Sequence, residues 1–251
     1  ITNYVMLELG QPLHAFDLDD IKYNKMTVKM AEEGEKFTTL DGVERTLTSD
    51  MLVIGNQDKT LDLAGIMGGE NSEIKDTTTS IFIEGASFAK ENIRATSKKL
   101  GLRTEASSRF EKGIDINLAE EAVNRACQLI EELGCGTVLN GMLDYYPQKE
   151  EVQKVTVNPV RINKLLGVNV PMDQFINILE SLEFKCNLVS SEVLELEVPT
   201  FRLDITEDAD ILEEIARIYG YDNIPSASLE GNATAGVKTE KQKFIDNVKS
   251  N

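Results

Sequence analysis

The sequence predicts an α+β protein of two consecutive units, a strand-rich one ending in a long helix and a small winged-helix-like one. Three observations carry the prediction. Between Lys25 and Phe88 the chain repeatedly alternates apolar and polar residues at the period of a half-buried strand. The stretch "DINLAEEAVNRACQLIEELG" instead spaces its apolar residues three and four apart, as a helix does. After the polar, proline-bearing "YYPQKEE" the units become shorter and follow the order strand, helix, helix, hairpin, helix. With 251 residues, 41% of them apolar, the chain exceeds one average domain and can fill two ordinary cores. The expected divisions are 1–147, 150–225, and 226–251 as a linker or the start of a further domain.

Taken in order, Lys25 to Met30 reads as a strand, and "TTLDGVERTL" sets Asp41-Gly42 between two strand-like runs as a hairpin turn. "MLVIG" and "SIFIEGASF" continue the strand pattern. In the long helix Leu118, Ala122, Ala126, Leu129 and Leu133 form one stripe, and Gly134 ends it. The second unit opens with the strand "KVTVN"; Pro159 then starts a short helix that Gly167 closes. "PMDQFINILESLEF" places Phe175, Ile178, Leu179 and Leu182 on one helical face, and "FKCNLVSSEVLELEVPTFR" alternates around Ser190-Ser191 as a hairpin. A last helix runs from about Glu207 to Tyr219, ahead of the turn "GYDNIP". This order is that of a winged helix, although order alone establishes no binding function.

Composition narrows the function classes. A net charge of −17 is the wrong sign for a chain that holds nucleic acid tightly by itself, since Lys and Arg contacts to phosphates supply most of that affinity. One local exception runs from Phe88 to Gly113, where Lys90, Arg94, Lys98, Lys99, Arg103, Arg109 and Lys112 outnumber three glutamates. Cys127, Cys135 and Cys186 form neither a CxxC pair nor a zinc spacing and read as reduced packing residues. No run of about 18 apolar residues suggests a membrane span and no leader is visible, so a soluble, cytoplasmic protein is expected. A start at Ile1 rather than Met fits a piece of something longer.

The last helix is the richest element for chemistry. At about 100° per residue, Asp210, Glu213 and Glu214 share one side while Ile211, Leu212, Ile215, Ile218 and Tyr219 take the other, and Asp204 lies just upstream. Carboxylates gathered this way suit a hard cation such as Mg²⁺, or equally a solvated acidic face. "GIMGG" and "GLRTEASSRFEKG" hold glycines but match neither a dinucleotide fingerprint nor a Walker loop. Ser107 and Ser108 have no local histidine to make a hydrolase triad. His14 is the only histidine and reads as a site wall or a core residue; Glu84 ends an apolar strand, facing solvent or a pocket.

"TNYVMLELGQPLHAFDLDDI", "GIMGGENSEI", "IFIEGASF", "IRATSKKLGLRTEASSRFEKGID" and "VPTFRLDITEDADILEEIARIYGYDNIP" together resemble the β subunits of bacterial phenylalanine–tRNA ligase, in order from Ile1 to about Pro225. The resemblance implies the later part of a B3/B4 tRNA-editing domain, truncated at its N-terminal side, followed by a B5 domain of the kind related to DNA-binding modules. It implies a partner α subunit that carries the ATP-dependent charging site, an α2β2 assembly and tRNA(Phe), so the chain alone is not expected to charge tRNA. It places His14 and Glu84 in a pocket that hydrolyses Tyr-tRNA(Phe), with Thr2, Asn3, Pro12, Gly68 and Ala86 as its walls. It also matches Asp204, Asp210, Glu213 and Glu214 to carboxylates linked to Mg²⁺ at a site shared with the α subunit. Two other classes stay open: a free-standing trans-editing hydrolase, and a nucleic-acid- or partner-binding module without catalysis.

Overall fold

The computed structural model describes residues 1–22, 25–56, 58–190, 192–226 and 236–250. The first unit starts with helix α1 (Thr2–Leu9), which stops where Gly10 turns left-handed and returns its N–H to the Met6 carbonyl. Its buried residues are Val5 and Met6, with Leu9 packed on the same cluster as Val5. Strands β1 (Leu13–Asp17), β2 (Thr27–Met30), β3 (Lys36–Thr38), β4 (Glu44–Thr46), β5 (Leu52–Gly55), β6 (Thr60–Leu63), β7 (Met67–Gly68) and β8 (Ile81–Gly85) follow. They form three antiparallel groups: β1 with β8, β3 with β4 as the expected Asp41-Gly42 hairpin, and a four-stranded sheet in the order β2-β5-β6-β7.

Helices α2 (Lys90–Leu100), α3 (Glu105–Phe110) and α4 (Leu118–Glu132) complete the unit. The basic segment therefore lies on α2, α3 and the turns beside them; Lys99, Arg103 and Arg109 are paired with Asp50, Glu111 and Glu105. Thr104 and Ser107 cap α3 reciprocally, which uses the Ser107 hydroxyl structurally, and the Thr104 hydroxyl also donates to the Ile66 carbonyl at 2.9 Å.

The β1–β8 ribbon is covered on both faces. Leu13 and Ile83 pack with Val5 of α1 and with Ala122 and Ala126 of α4. On the opposite face Phe16 and Phe82 pack with Ile54, Leu61 and Ala64 of the four-stranded sheet and its turn. A Cβ on Gly85 would lie 2.7 Å from Val123 Cγ2 and 2.9 Å from the Ala119 carbonyl, so α4 reaches β8 only over a bare backbone. Of the predicted α4 stripe, Ala122 and Ala126 are buried, whereas Leu133 falls past the helix end and is exposed.

The second unit has β9 (Lys154–Val157), α5 (Pro159–Leu166), α6 (Met172–Ser181), β10 (Lys185–Ser190), β11 (Val193–Glu197) and α7 (Asp208–Tyr219), in the order read from the sequence. Its sheet runs β10-β11-β9, all antiparallel. Asn158 caps α5 by accepting the Arg161 N–H, with Pro159 in the first turn where no N–H is needed. Val155, Phe175, Leu179, Leu194, Ile211 and Ile215 meet in one core. The hairpin residue Ser191 lies outside the described residues, as do 227–235 and 251 of the expected linker. Helix α8 (Glu240–Ser250) follows, with no buried residue. Ile218, on the same side of α7 as Ile211 and Ile215, is exposed near the helix end. The units touch where Thr200 donates to the Asp115 carboxylate at 2.9 Å and Leu203 covers Gly113.

Gly85→Ala is expected to push α4 off the ribbon and lower stability by about 1–3 kcal/mol, the usual range for overpacking. A urea titration with an unchanged midpoint would contradict this close helix–strand contact.

Candidate functional site

The β1–β8 register sets His14 directly opposite Glu84. Directly paired residues project from the same face of an antiparallel pair, and the alternation with Phe16 and Phe82 turns this face toward the four-stranded sheet. The facing wall is β6 and β7. A Cβ on Gly68 would stand 2.7 Å from His14 Nε2 and closer still to Cε1, so the imidazole fits only because β7 carries no side chain there. Gly68 is in turn paired with Asp62 of β6, so Asp62 projects toward the same gap. A register shift beside Ile54 and Gly55 leaves Leu61 as an extra residue on β6, a bulge that re-aims the strand at this point.

Burial sets the chemistry of these side chains. Glu84 is half-buried as a residue, but its Oε2 is sealed from solvent and has no hydrogen-bond partner among the described residues. Burial, with the nearby Asp62 charge second, holds the Glu84 carboxyl well above the usual carboxylate range. Burial likewise pushes Asp62 up to about 7, against a smaller opposing effect of the Leu63 N–H. Desolvation drives His14 the other way, down to about 4, so the imidazole is neutral at pH 7. It stands edge-on to Phe16, with ring centroids 4.4 Å apart.

Gln11, fully buried, fastens the strand ends that border this gap. Its Nε2 donates to the Pro12 carbonyl at 2.9 Å and to the Ala86 carbonyl at 2.8 Å. Four predicted residues (His14, Gly68, Glu84 and, through Gln11, Ala86) are thus tied together with Pro12. Thr2 and Asn3 lie in the first turn of α1, half-buried and exposed, and no hydrogen bond among the described residues joins either to His14 or Glu84. Sequence reasoning passed over Gln11 and Asp62. For Asp62 the signal was there, an acid inside the apolar run "TLDLAG".

The acidic residues of the second unit are held by different partners. Arg202 is forked between Asp204, at 2.9 and 2.7 Å, and Glu214, at 2.8 Å; Arg217 takes the other oxygen of Glu214. Asp210 caps the start of α7, accepting the N–H groups of Thr206 and Glu207 at 2.8 and 2.9 Å. Those bonds hold Asp210 below its ordinary value, and the Arg202 hydrogen bond does the same for Asp204. Glu213 points to solvent, while Glu214 is buried. Among the described residues no three acidic, histidine or cysteine side chains converge as metal ligands. These four carboxylates do not fit a formed Mg²⁺ site, because cations of the chain and the helix start already satisfy three of them.

Comparison with known proteins bears directly on this chain. A B3/4 domain model matches residues 1–135, and a tRNA synthetase B5 domain model matches residues 155–221. The chain is 48% identical over 248 residues to the phenylalanine–tRNA ligase β subunit of Clostridium tetani, which covers 99% of this chain and 31% of that protein. This chain belongs to the family of phenylalanine–tRNA ligase β subunits. The β subunit of Geobacter metallireducens is 47% identical over 225 residues, 90% of this chain and 28% of its own length. The chain thus spans about a third of the length of these β subunits. An N-terminal fragment of the phenylalanyl-tRNA synthetase β subunit from Pyrococcus horikoshii is 21% identical, with a TM-score of 0.47 over 88% of this chain and 64% of that one. The His14–Glu84 gap lies within the B3/4 domain, and the Arg202 network within the B5 domain. No helix among the described residues is long and apolar enough to cross a membrane.

The buried carboxyls make stability depend on pH. Between the ordinary aspartate value of 3.8 and about 7 the folded state holds a proton on Asp62 that the unfolded chain has lost, so stability falls as pH rises through that window. Glu84 adds to the fall, being raised as well. His14, lowered to about 4 from 6.5, contributes the opposite slope between those values. Asp62→Asn removes a charge only where Asp62 is ionised, so it should raise the melting temperature at pH 8 and change it little at pH 4. An equal shift at both pH values would contradict the buried placement of Asp62.

Proposed function

We propose that this chain supplies the proofreading pocket of a phenylalanine–tRNA ligase, hydrolysing tyrosine wrongly esterified to tRNA(Phe). The observation that carries the reading is the sealed Glu84 Oε2, without a hydrogen-bond partner among the described residues, on the strand residue opposite His14, whose ring packs over the bare backbone of Gly68. Phenylalanine and tyrosine differ by one hydroxyl, which an apolar pocket cannot strongly reject, whereas a buried polar group reads it directly. Glu84 is that reader. A buried group without a partner costs free energy in the empty site, and a ligand hydroxyl restores the missing bond.

His14 has a narrower role than acid–base catalysis. An imidazole whose basicity is lowered this far is a poor proton acceptor in a transition state, but its bare nitrogen can accept a hydrogen bond from the attacking water or from the terminal ribose. It is a positioning residue. Pro12 and Ala86, held by Gln11, form one rim, and Gly68 lets backbone approach the ring; Thr2 and Asn3 form the outer wall, where the ribose enters.

In this reading residues 1–147 are the editing domain, 150–225 the B5 domain and 226–251 a connection onward. An α subunit with the ATP-dependent charging site, an α2β2 assembly, tRNA(Phe) and a cytoplasmic setting complete it. Lys90, Arg94 and Lys98 on α2, which make no ion pair among the described residues, offer a local contact for the acceptor end. The cation expected at Asp204, Asp210, Glu213 and Glu214 has no step in this mechanism, because Arg202 already neutralises two of them.

Glu84→Ala, in the ligase that contains this chain, should slow hydrolysis of Tyr-tRNA(Phe) by roughly 10- to 100-fold, the value of one hydrogen bond to a charged or strongly polar group. Deacylation assays on purified Tyr-tRNA(Phe) measure this directly. Clearance at the parent rate would remove Glu84 from the role.

A further inference from the structure

Asp62 has no task in the reading above, and its position asks for one. It is 5% exposed, in the interior of a strand where a valine or leucine would bury at no electrostatic cost. Its cross-strand partner is Gly68, the residue whose bare backbone accommodates the His14 ring. Glu84 projects from the opposite wall, beside His14. Two carboxyl groups thus face the His14–Gly68 contact, from β6 and from β8, and the sealed Oε2 of Glu84 has no hydrogen-bond partner among the described residues. Two buried carboxyls that feel each other's charge do not readily both ionise, so one proton stays with the pair. The raised values of both groups, with Asp62 named among the causes for Glu84, agree with that arrangement.

We propose that Asp62 and Glu84 act as one carboxyl pair holding a single proton, and that this pair, rather than Glu84 alone, reads a phenolic hydroxyl. The carboxylate member accepts the proton of the phenol; the acid member donates to the phenol oxygen. A phenyl ring supplies neither bond and leaves a buried donor and a buried acceptor unsatisfied, so selectivity comes from rejection of the wrong ring as well as attraction to the right one. No covalent bond changes in this recognition step. The proposal rests on the proofreading reading and adds to it a specificity residue on a different strand.

The test is a double-mutant cycle in the ligase that contains this chain. The quantity is the ratio of kcat/KM for hydrolysis of Tyr-tRNA(Phe) to that for Phe-tRNA(Phe), for the parent, Asp62→Asn, Glu84→Gln and the double variant. Each single change is expected to lower the ratio by ~10-fold or more, the worth of one such bond, and the double to lower it no further, because either amide dismantles the same unit. An unchanged ratio in Asp62→Asn beside a lowered one in Glu84→Gln overturns the pair and leaves Glu84 as sole reader. So do losses that add, and so does an equal loss on both esters, which marks a merely structural effect. A parent ligase that does not favour the tyrosyl ester overturns the proofreading reading itself. If Asp62→Asn fails to assemble, Asp62→Ser is carried through the same cycle with the same expectations.

Discussion

The antiparallel register of β1 and β8 is the constraint on which the site depends. Side chains alternate with a period of two, so pairing Leu13 with Gly85 simultaneously sends Leu13 and Ile83 to α1 and α4 and sends His14, Phe16, Phe82 and Glu84 to the four-stranded sheet. A slip of one residue would bury the polar pair under α4 and turn the aromatic pair away from its core. The register is held by burial on both faces, by the approach of α4 over Gly85, and by Gln11, which fastens the two strands where they diverge. Local sequence does little of this. The strands are far apart in the chain, and each is only five residues long.

The fold accepts an electrostatic cost here. An imidazole without a charge, a carboxyl with one oxygen unpartnered among the described residues and a second carboxyl on the facing strand are placed where an apolar layer would be more stable. Functional sites commonly carry such unfavourable placements, supported by the packing around them. In this chain the support is the aromatic and aliphatic layer of Phe16, Ile54, Leu61 and Ala64 immediately beside the gap. The acidic residues of the B5 domain show the opposite behaviour. Each of Asp204, Asp210 and Glu214 has found a cation or a helix start, and nothing in their geometry is left unsatisfied.

What the sequence made legible divides along physical lines. The order of the second unit, the Asp41-Gly42 hairpin, α4 with Gly134 beyond its end, and the Pro159–Gly167 helix were readable because each depends on local chemistry: turn residues, caps and one-sided periodicity. Helix α1 was not, since it is only eight residues long and its Val5 and Leu9 are covered by a helix distant in sequence. The family resemblance picked out His14, Gly68 and Glu84, and the fold brings these together. Asp62 escaped because its significance lies in pairing with Gly68, which no periodicity reveals. A helical wheel gives the angles of Asp210, Glu213 and Glu214 on α7 but not that Arg202, from outside the helix, bonds Glu214, which is buried while Glu213 is exposed.

The central claim is that the space between His14, Gly68 and the carboxyls is a receptor for the phenol of a misattached tyrosine. It is tested most directly by a structure of the ligase containing this chain, bound to a non-hydrolysable amide analogue of the tyrosylated terminal adenosine. The phenolic oxygen is expected within hydrogen-bond distance of the Glu84 carboxyl, with the ring beside the His14 imidazole. An analogue seated elsewhere, with Glu84 still unpartnered, would contradict it.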